Sequence, residues 1–285
     1  MNSIRCEMKK SLYPPLFILS CIGVILACAV CEGYTSGSRT TYTILELFLF
    51  VGKDVLLTDV SLNRYEILEH GLGMWVQIFL PLLLSIGYLY TISAEKQTGY
   101  ERLLLLRENN RRYSISKLAA AMFSGGLILL TGYILFGVLV WMKFPCLYEY
   151  SPDQIQSYLA LVPGFAEPLF CLRKCISVFL YGMCLNVFAY LVSIFFTDKY
   201  ILICLPLLLR YVWEQIVLKL QLRALEQGSA TGSRLCSGLR METILTINYP
   251  GGWWGPLIVI TLLYLSGFGI SVYLLKKKGE GFGFE

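Results

Sequence analysis

Arg210 and Glu214 are the residues whose type and spacing stand out for chemistry. They sit four apart inside "YILICLPLLLRYVWEQIVLKLQLRALEQG", a stretch that is apolar for about ten residues before it meets Arg210, Glu214 and Lys219. Residues four apart share one face of a helix. Ionisable groups at membrane depth face a bundle interior or a water-filled cavity and mark a pathway or binding site by default. The alternative is a mutually satisfied structural pair near the mouth of a shorter or broken helix. Other candidates for chemistry are weaker. Cys28 and Cys31 have the spacing of a redox pair in "CAVC", but they end an apolar run and do not follow a strand, so small apolar filler is the simpler reading. One histidine, His70, cannot build a histidine-based zinc site, and no metal site is expected. The chain has no G-x-x-x-x-G-K-[ST] and so no phosphate-cradling loop of its own. "GEGFGF" near Glu285 does not follow a strand and is no dinucleotide fingerprint. "LSGFG" at Leu265–Gly269 lies inside an apolar run and reads as small-residue helix packing. Without a catalytic dyad or metal cluster, an intramembrane enzyme ranks last among the functions considered.

The elements that must position Arg210 and Glu214 follow from composition. Of 285 residues, 56% are hydrophobic and only 15% are charged; a soluble domain carries about 25% charged residues. Such a chain places its apolar surface against lipid. The net charge of +5 is modest, and its basic residues gather at the ends of apolar runs, so nucleic acid is not an expected partner. No cleavable leader is expected, because the apolar run behind "MNSIRCEMKKSLYPP" is too long for a signal core.

Six apolar spans are expected, each near the ~20 residues a crossing helix needs: Leu12–Cys31, Met74–Ile92, Leu118–Met142, Cys175–Phe196, Tyr200–Gln221 and Leu257–Leu275. Basic residues precede the first span (Arg5, Lys9, Lys10), lie between the second and third, sit at Lys199 in the tight turn after the fourth, and follow the last (Lys276 to Lys278). Positive residues favour the cytoplasmic side, which places both termini there. The expected fold class is therefore an all-α integral membrane protein, one transmembrane domain over residues 1–285. In the fifth span, Pro206 is a candidate kink. "ILELFLFVGKDVLL" and "DQIQSYLALVPGF" read as short amphipathic elements at the outer surface. "NYPGGWWGP" reads as an interfacial anchor, and so do Arg173 and Lys174.

The most polar stretch, "SAEKQTGYERLLLLRENNRRYSISK", lies between two of these apolar runs. From Glu95 to Arg112 it holds five basic and three acidic side chains around four leucines. A connecting turn needs only a few residues. Its helix formers predict a short helix flat on the inner leaflet, with Gly99 as the bend. Two readings fit: a positive-inside loop whose leucines dip into the headgroups, or a docking element for a cytoplasmic motor.

Here the chain resembles the type-2 permeases of ATP-binding-cassette exporters. The resemblance rests on Glu95, Gly99, Glu101, Arg102, Leu103, Leu104, Arg111 and Lys117 in "EKQTGYERLLLL…NNRRYSISK", and on the arrangement of the whole chain. Tyr100 stands where threonine is common, and Glu108–Asn110 replace the usual proline. The resemblance implies that those eight residues form a coupling helix between spans two and three that docks separate ATPase subunits. It also implies a second permease copy or a homologous permease as partner, and ATP and Mg bound in the ATPase rather than here. A multi-pass protein of the bacterial plasma membrane is the matching location. Cargo by the same analogy is a drug, an antimicrobial peptide, a lipid or a glycan. A stand-alone secondary transporter or channel is the rival; it should show half-repeats or carboxylates within spans, and Glu214 is the one acidic candidate.

Overall fold

The computed structural model describes residues 2–12, 15–35, 41–100, 104, 110–161, 167–196, 198–240, 244–245 and 254–280. Helix α1 (Asn2–Leu12) is followed by α2 (Pro15–Val30), whose first residue is a proline; proline fits a first helical turn, where its missing N–H has no partner to lose. A two-stranded antiparallel hairpin, β1 (Glu32–Thr35) and β2 (Thr41–Thr43), comes next. It leads into α3 (Ile44–Phe50) through a capping box: Glu46 N–H donates to Thr43 Oγ1 at 3.2 Å, and Thr43 N–H donates to Glu46 Oε2 at 2.8 Å. Then follow α4 (Lys53–Leu56), a 3-10 turn (Val60–Leu62) and α5 (Arg64–His70). The long helices are α6 (Met74–Gln97), α7 (Asn110–Lys143), then, after a second 3-10 turn (Leu147–Glu149) and α8 (Pro152–Leu161), α9 (Glu167–Phe195) and α10 (Lys199–Glu226). The short α11 (Ala230–Leu239) and α12 (Trp254–Glu280) complete the order.

Each of the six apolar runs lies mainly within a helix. By length and apolarity α7, α9 and α10 can each cross a bilayer, and α5 with α6, bent by 66°, can make a fourth crossing. Helix α2 and residues Tyr264–Leu274 of α12 are shorter apolar helices. The molecule is a membrane-embedded helical protein, with one small hairpin as its sheet among the described residues. Of the two stretches read as short amphipathic elements, the first forms α3 and α4, and the described part of the second lies in α8. The interfacial reading of "NYPGGWWGP" falls mostly outside the described residues. The fifth run is not broken: α10 continues through Pro206 for 28 residues.

Helix α7 is central and packs against α1, α2, α6, α9 and α12. Its closest approach is to α9. A Cβ built on Gly182 would lie 2.6 Å from the Gly125 carbonyl oxygen, so these two backbones can meet only where both residues lack side chains. Asn186 Nδ2 donates to the Ala121 carbonyl at 2.9 Å across the same contact. At the far end of the bundle, Tyr65, Leu147, Tyr158 and Phe170 form a second small core over α5 and α9.

Candidate functional site

The last turns of α6 and the first turns of α7 carry a closed ring of four charges with α1. Lys117 Nζ donates to Glu7 Oε2 at 2.7 Å and also to Glu95 Oε2. Lys10 Nζ donates to Glu95 Oε1 at 2.9 Å and to Glu7 Oε1 at 3.1 Å. Each carboxylate thus spends one oxygen on each lysine. The Tyr88 hydroxyl adds a fifth partner, donating to Glu7 Oε2 at 3.1 Å. Glu7 and Lys117 are buried, and buried charges persist only when paired and hydrogen-bonded. Burial pushes the Glu7 carboxyl up, but the ammonium groups of Lys117 and Lys10 outweigh it and hold the group below its usual range. Burial pushes Lys10 down, and Glu95 and Glu7 reverse this, leaving it well above the usual lysine value.

Lys96, one residue past Glu95, turns to a different neighbour. Its Nζ donates to the Ser193 carbonyl and approaches the Ile194 carbonyl at 3.4 Å. These are last-turn carbonyls of α9, which lack intrahelical partners, and a lysine there also complements the helix dipole. Two turns earlier, the Tyr90 ring lies 4.7 Å from the ammonium of Lys199 at the start of α10. The end of α6 therefore grips α1 and α7 through Glu95, α9 through Lys96 and α10 through Tyr90. Gly99 stops the helix with φ of +73°; nothing lies within 4 Å of where its Cβ would be, so the need for glycine is conformational rather than steric. The Lys10 ammonium sits 5.4 Å from the Tyr100 ring just beyond.

Of the eight residues assigned to the coupling segment, two, Glu95 and Lys117, are brought together inside the ring. Leu104 is half-buried and helical. Glu101, Arg102 and Leu103 lie outside the described residues, as does the side chain of Arg111 in the first turn of α7. The segment Glu95–Arg112 is not one separate flat helix from end to end: Glu95 to Gln97 continue α6, and Asn110 to Arg112 open α7.

Arg210 and Glu214 are both buried on the inward face of α10, with Pro206 and Val217. Arg210 Nη1 donates to the Gln77 carbonyl in the first turn of α6 at 2.5 Å. Glu214 Oε2 lies 3.5 Å from Arg240 Nε. The chain delivers Arg240 by reversing at Gly228, φ +67°, so that α11 runs back along α10; Trp213 Nε1 donates to the Leu239 carbonyl at 3.1 Å and pins the return. Sequence reading missed Arg240 as a partner, as it missed Glu7, Tyr88 and Lys96. The signal available for Glu7 was a lone acid three residues before Lys10 in an otherwise basic segment.

Lys174 corrects an expectation. It is no exposed interfacial anchor: it is buried, and its Nζ donates to Glu69 Oε2 and to the Leu245 carbonyl, each at 2.8 Å. No disulfide forms among the described cysteines, and Cys28 and Cys31 are buried. Among the described residues, no group of three His, Cys, Asp or Glu side chains is placed to hold a metal. The two polar clusters thus contain ion pairs and carbonyl contacts. Their chemistry is the fastening of helix ends and the holding of charge inside a bundle. No family model, curated protein or solved structure matches the chain.

Proposed function

We propose that this chain is the membrane-spanning permease subunit of an ATP-driven exporter of the ATP-binding-cassette type. It crosses the plasma membrane of a bacterium six times with both ends in the cytoplasm, pairs with a second permease chain, and is driven by two separate ATPase subunits that hold ATP and Mg. The observation that carries this reading is the fastening at the root of the charge-dense segment. Residues 100–112 are the most polar stretch between apolar runs, and the helix ends on either side of them are tied by Glu95 and Lys117 to α1 and by Lys96 to α9. A push on that segment reaches four helices at once.

In this mechanism Glu101, Arg102, Leu103, Leu104 and Arg111 meet the ATPase, Gly99 provides the bend, and Glu95 with Lys117 anchors the lever. ATP-driven closure of the ATPases biases a two-state bundle, and the spans tilt to open the path. Arg210 and Glu214 face the bundle interior and belong to the path; no residue of this chain does chemistry on the cargo. The cargo class is a small amphipathic molecule such as a peptide, drug or lipid. The experiment is purification of the tagged chain from its own host, followed by flux measurements in vesicles. A co-purifying nucleotide-binding subunit and ATP-dependent flux are the expected results. Flux through the chain alone, driven by an ion gradient, would assign it instead to the secondary transporters or channels.

A further inference from the structure

At the α5 end of the bundle, α5, α7 and α9 enclose a cavity of about 200 Å³. Its mouth is made by Ile134, Val138 and Trp141, which recur on one face of α7 and are each about half exposed. An opening between exposed apolar side chains of a membrane-crossing helix faces hydrocarbon. Inside, Leu68 and Phe170 form apolar walls. Two polar side chains of the lining have their polar atoms engaged: the Tyr133 hydroxyl donates to the Leu68 carbonyl at 3.0 Å, and the Lys174 ammonium is occupied by Glu69 and the Leu245 carbonyl. What they present is ring and methylene stem. Water needs two to four polar partners to occupy a site, and apolar cavities take apolar guests.

Gly137, between the mouth residues, supplies part of this space. A Cβ there would meet only Leu68 Cδ2, at 3.5 Å, an ordinary contact. No close helix approach demands this glycine, unlike Gly125 and Gly182. Mid-helix glycine costs about 1 kcal/mol relative to alanine, and here the return is room beside the α7 backbone. At the mouth, the Arg64 guanidinium lies 5.7 Å from the Trp141 ring and 5.5 Å from the Tyr65 ring. A cation stacked on aromatics at the edge of an apolar belt matches the headgroup level of a bilayer, and guanidinium pairs well with phosphate.

We infer that this cavity seats one acyl chain of a bilayer phospholipid, with Trp141 at the headgroup boundary and Arg64 on the lipid phosphate. The inference is independent of the exporter reading: it concerns a resident lipid, not a cargo.

The test uses the full chain in vesicles of phosphatidylcholine and phosphatidylglycerol carrying a trace of phospholipid with a photoreactive acyl chain. Cross-linked peptides are mapped by mass spectrometry. Expected is labelling of residues 134–141 and 170–175 severalfold above that of the exposed α2 stripe Ile18, Ile22 and Leu26, which reports lipid in general contact. Gly137→Leu, which fills the space, removes the excess and leaves the stripe unchanged. Val138→Trp, an exposed substitution that narrows the mouth without entering the core, does the same where Gly137→Leu folds poorly. Arg64→Gln lowers the excess in the cavity but not the stripe signal. Equal labelling of cavity and stripe in the wild type, or an excess that survives both Gly137→Leu and Val138→Trp, overturns the assignment.

Discussion

Lys117 and Glu7 stand 110 positions apart in the chain and meet at 2.7 Å, with 2% and 7% of their side chains exposed. The contact closes the ring that also holds Lys10 and Glu95, and it fixes α1 to the junction of α6 and α7. Removing one partner of a buried ion pair leaves an uncompensated charge, which costs about 3–5 kcal/mol. Lys117→Met should therefore lower stability by that order, read as the thermal midpoint in detergent. Lys117→Met combined with Glu7→Leu should cost less than the two single changes added together. A wild-type midpoint for Lys117→Met shows the ring to be idle.

The ring also sets a pH window. The folded value for Glu7 lies below its usual 4.5, so its contribution is full above that pH and lost as pH falls through the depressed folded value. The folded value for Lys10 lies above its usual 10.5, so its contribution is full below that pH and is lost as pH rises through the raised value. Docking of α1 should thus be flat from pH 5 to pH 10, about half a unit inside each usual value, and fail toward strong acid. A fluorophore on exposed Cys6, with exposed Cys204 changed to Ser, reports this as anisotropy. Release of α1 in the neutral range is the contrary result.

Lys96→Met should loosen the end of α9 without releasing α1. Hydrogen bonds from charged donors contribute about 1.5–3 kcal/mol, so amide exchange at residues 190–195 should quicken while α1 keeps its protection. Hydrogen exchange with mass spectrometry separates the two helices.

Charge reversal of the pair Glu101→Lys and Arg102→Glu should uncouple ATPase association and export while the thermal midpoint stays at the wild-type value. Retained association and export in this double variant remove the docking role from these residues.

Arg210→Ala should alter flux or cargo selectivity in a chain that still folds. A loss of folded yield alone, with normal transport by the surviving fraction, leaves Arg210 as a fastening between α10 and the first turn of α6.

The long helices were legible because a run of about 20 apolar residues has few other uses, and Met74–Ile92 or Leu118–Met142 could be read directly. Their extensions were less so: α7 starts at Asn110, among charged residues that no hydropathy argument would enclose. Strands of four and three residues gave too little alternation to read the hairpin. Helix α11, "ATGSRLCSGL", has the glycine and serine content of a loop and is held by Trp213 and Arg240 rather than by propensity. Lys174 looked like an anchor because its local position, just before an apolar run, is the same for both roles. What distinguishes it is Glu69, 105 residues earlier. The inward face of α10 was legible from the Arg210–Glu214 spacing, but their partners Gln77 and Arg240 lie on other elements, and no local pattern encodes such pairs.

Two acids and two bases closed on one another amount to no net electrical load. Carrying a lone elementary charge across a membrane potential takes about 2.3 kcal/mol per 100 mV, whereas this four-membered joint could shift through the field at almost no work. A change in membrane voltage would therefore exert almost no net pull on this cluster of side chains.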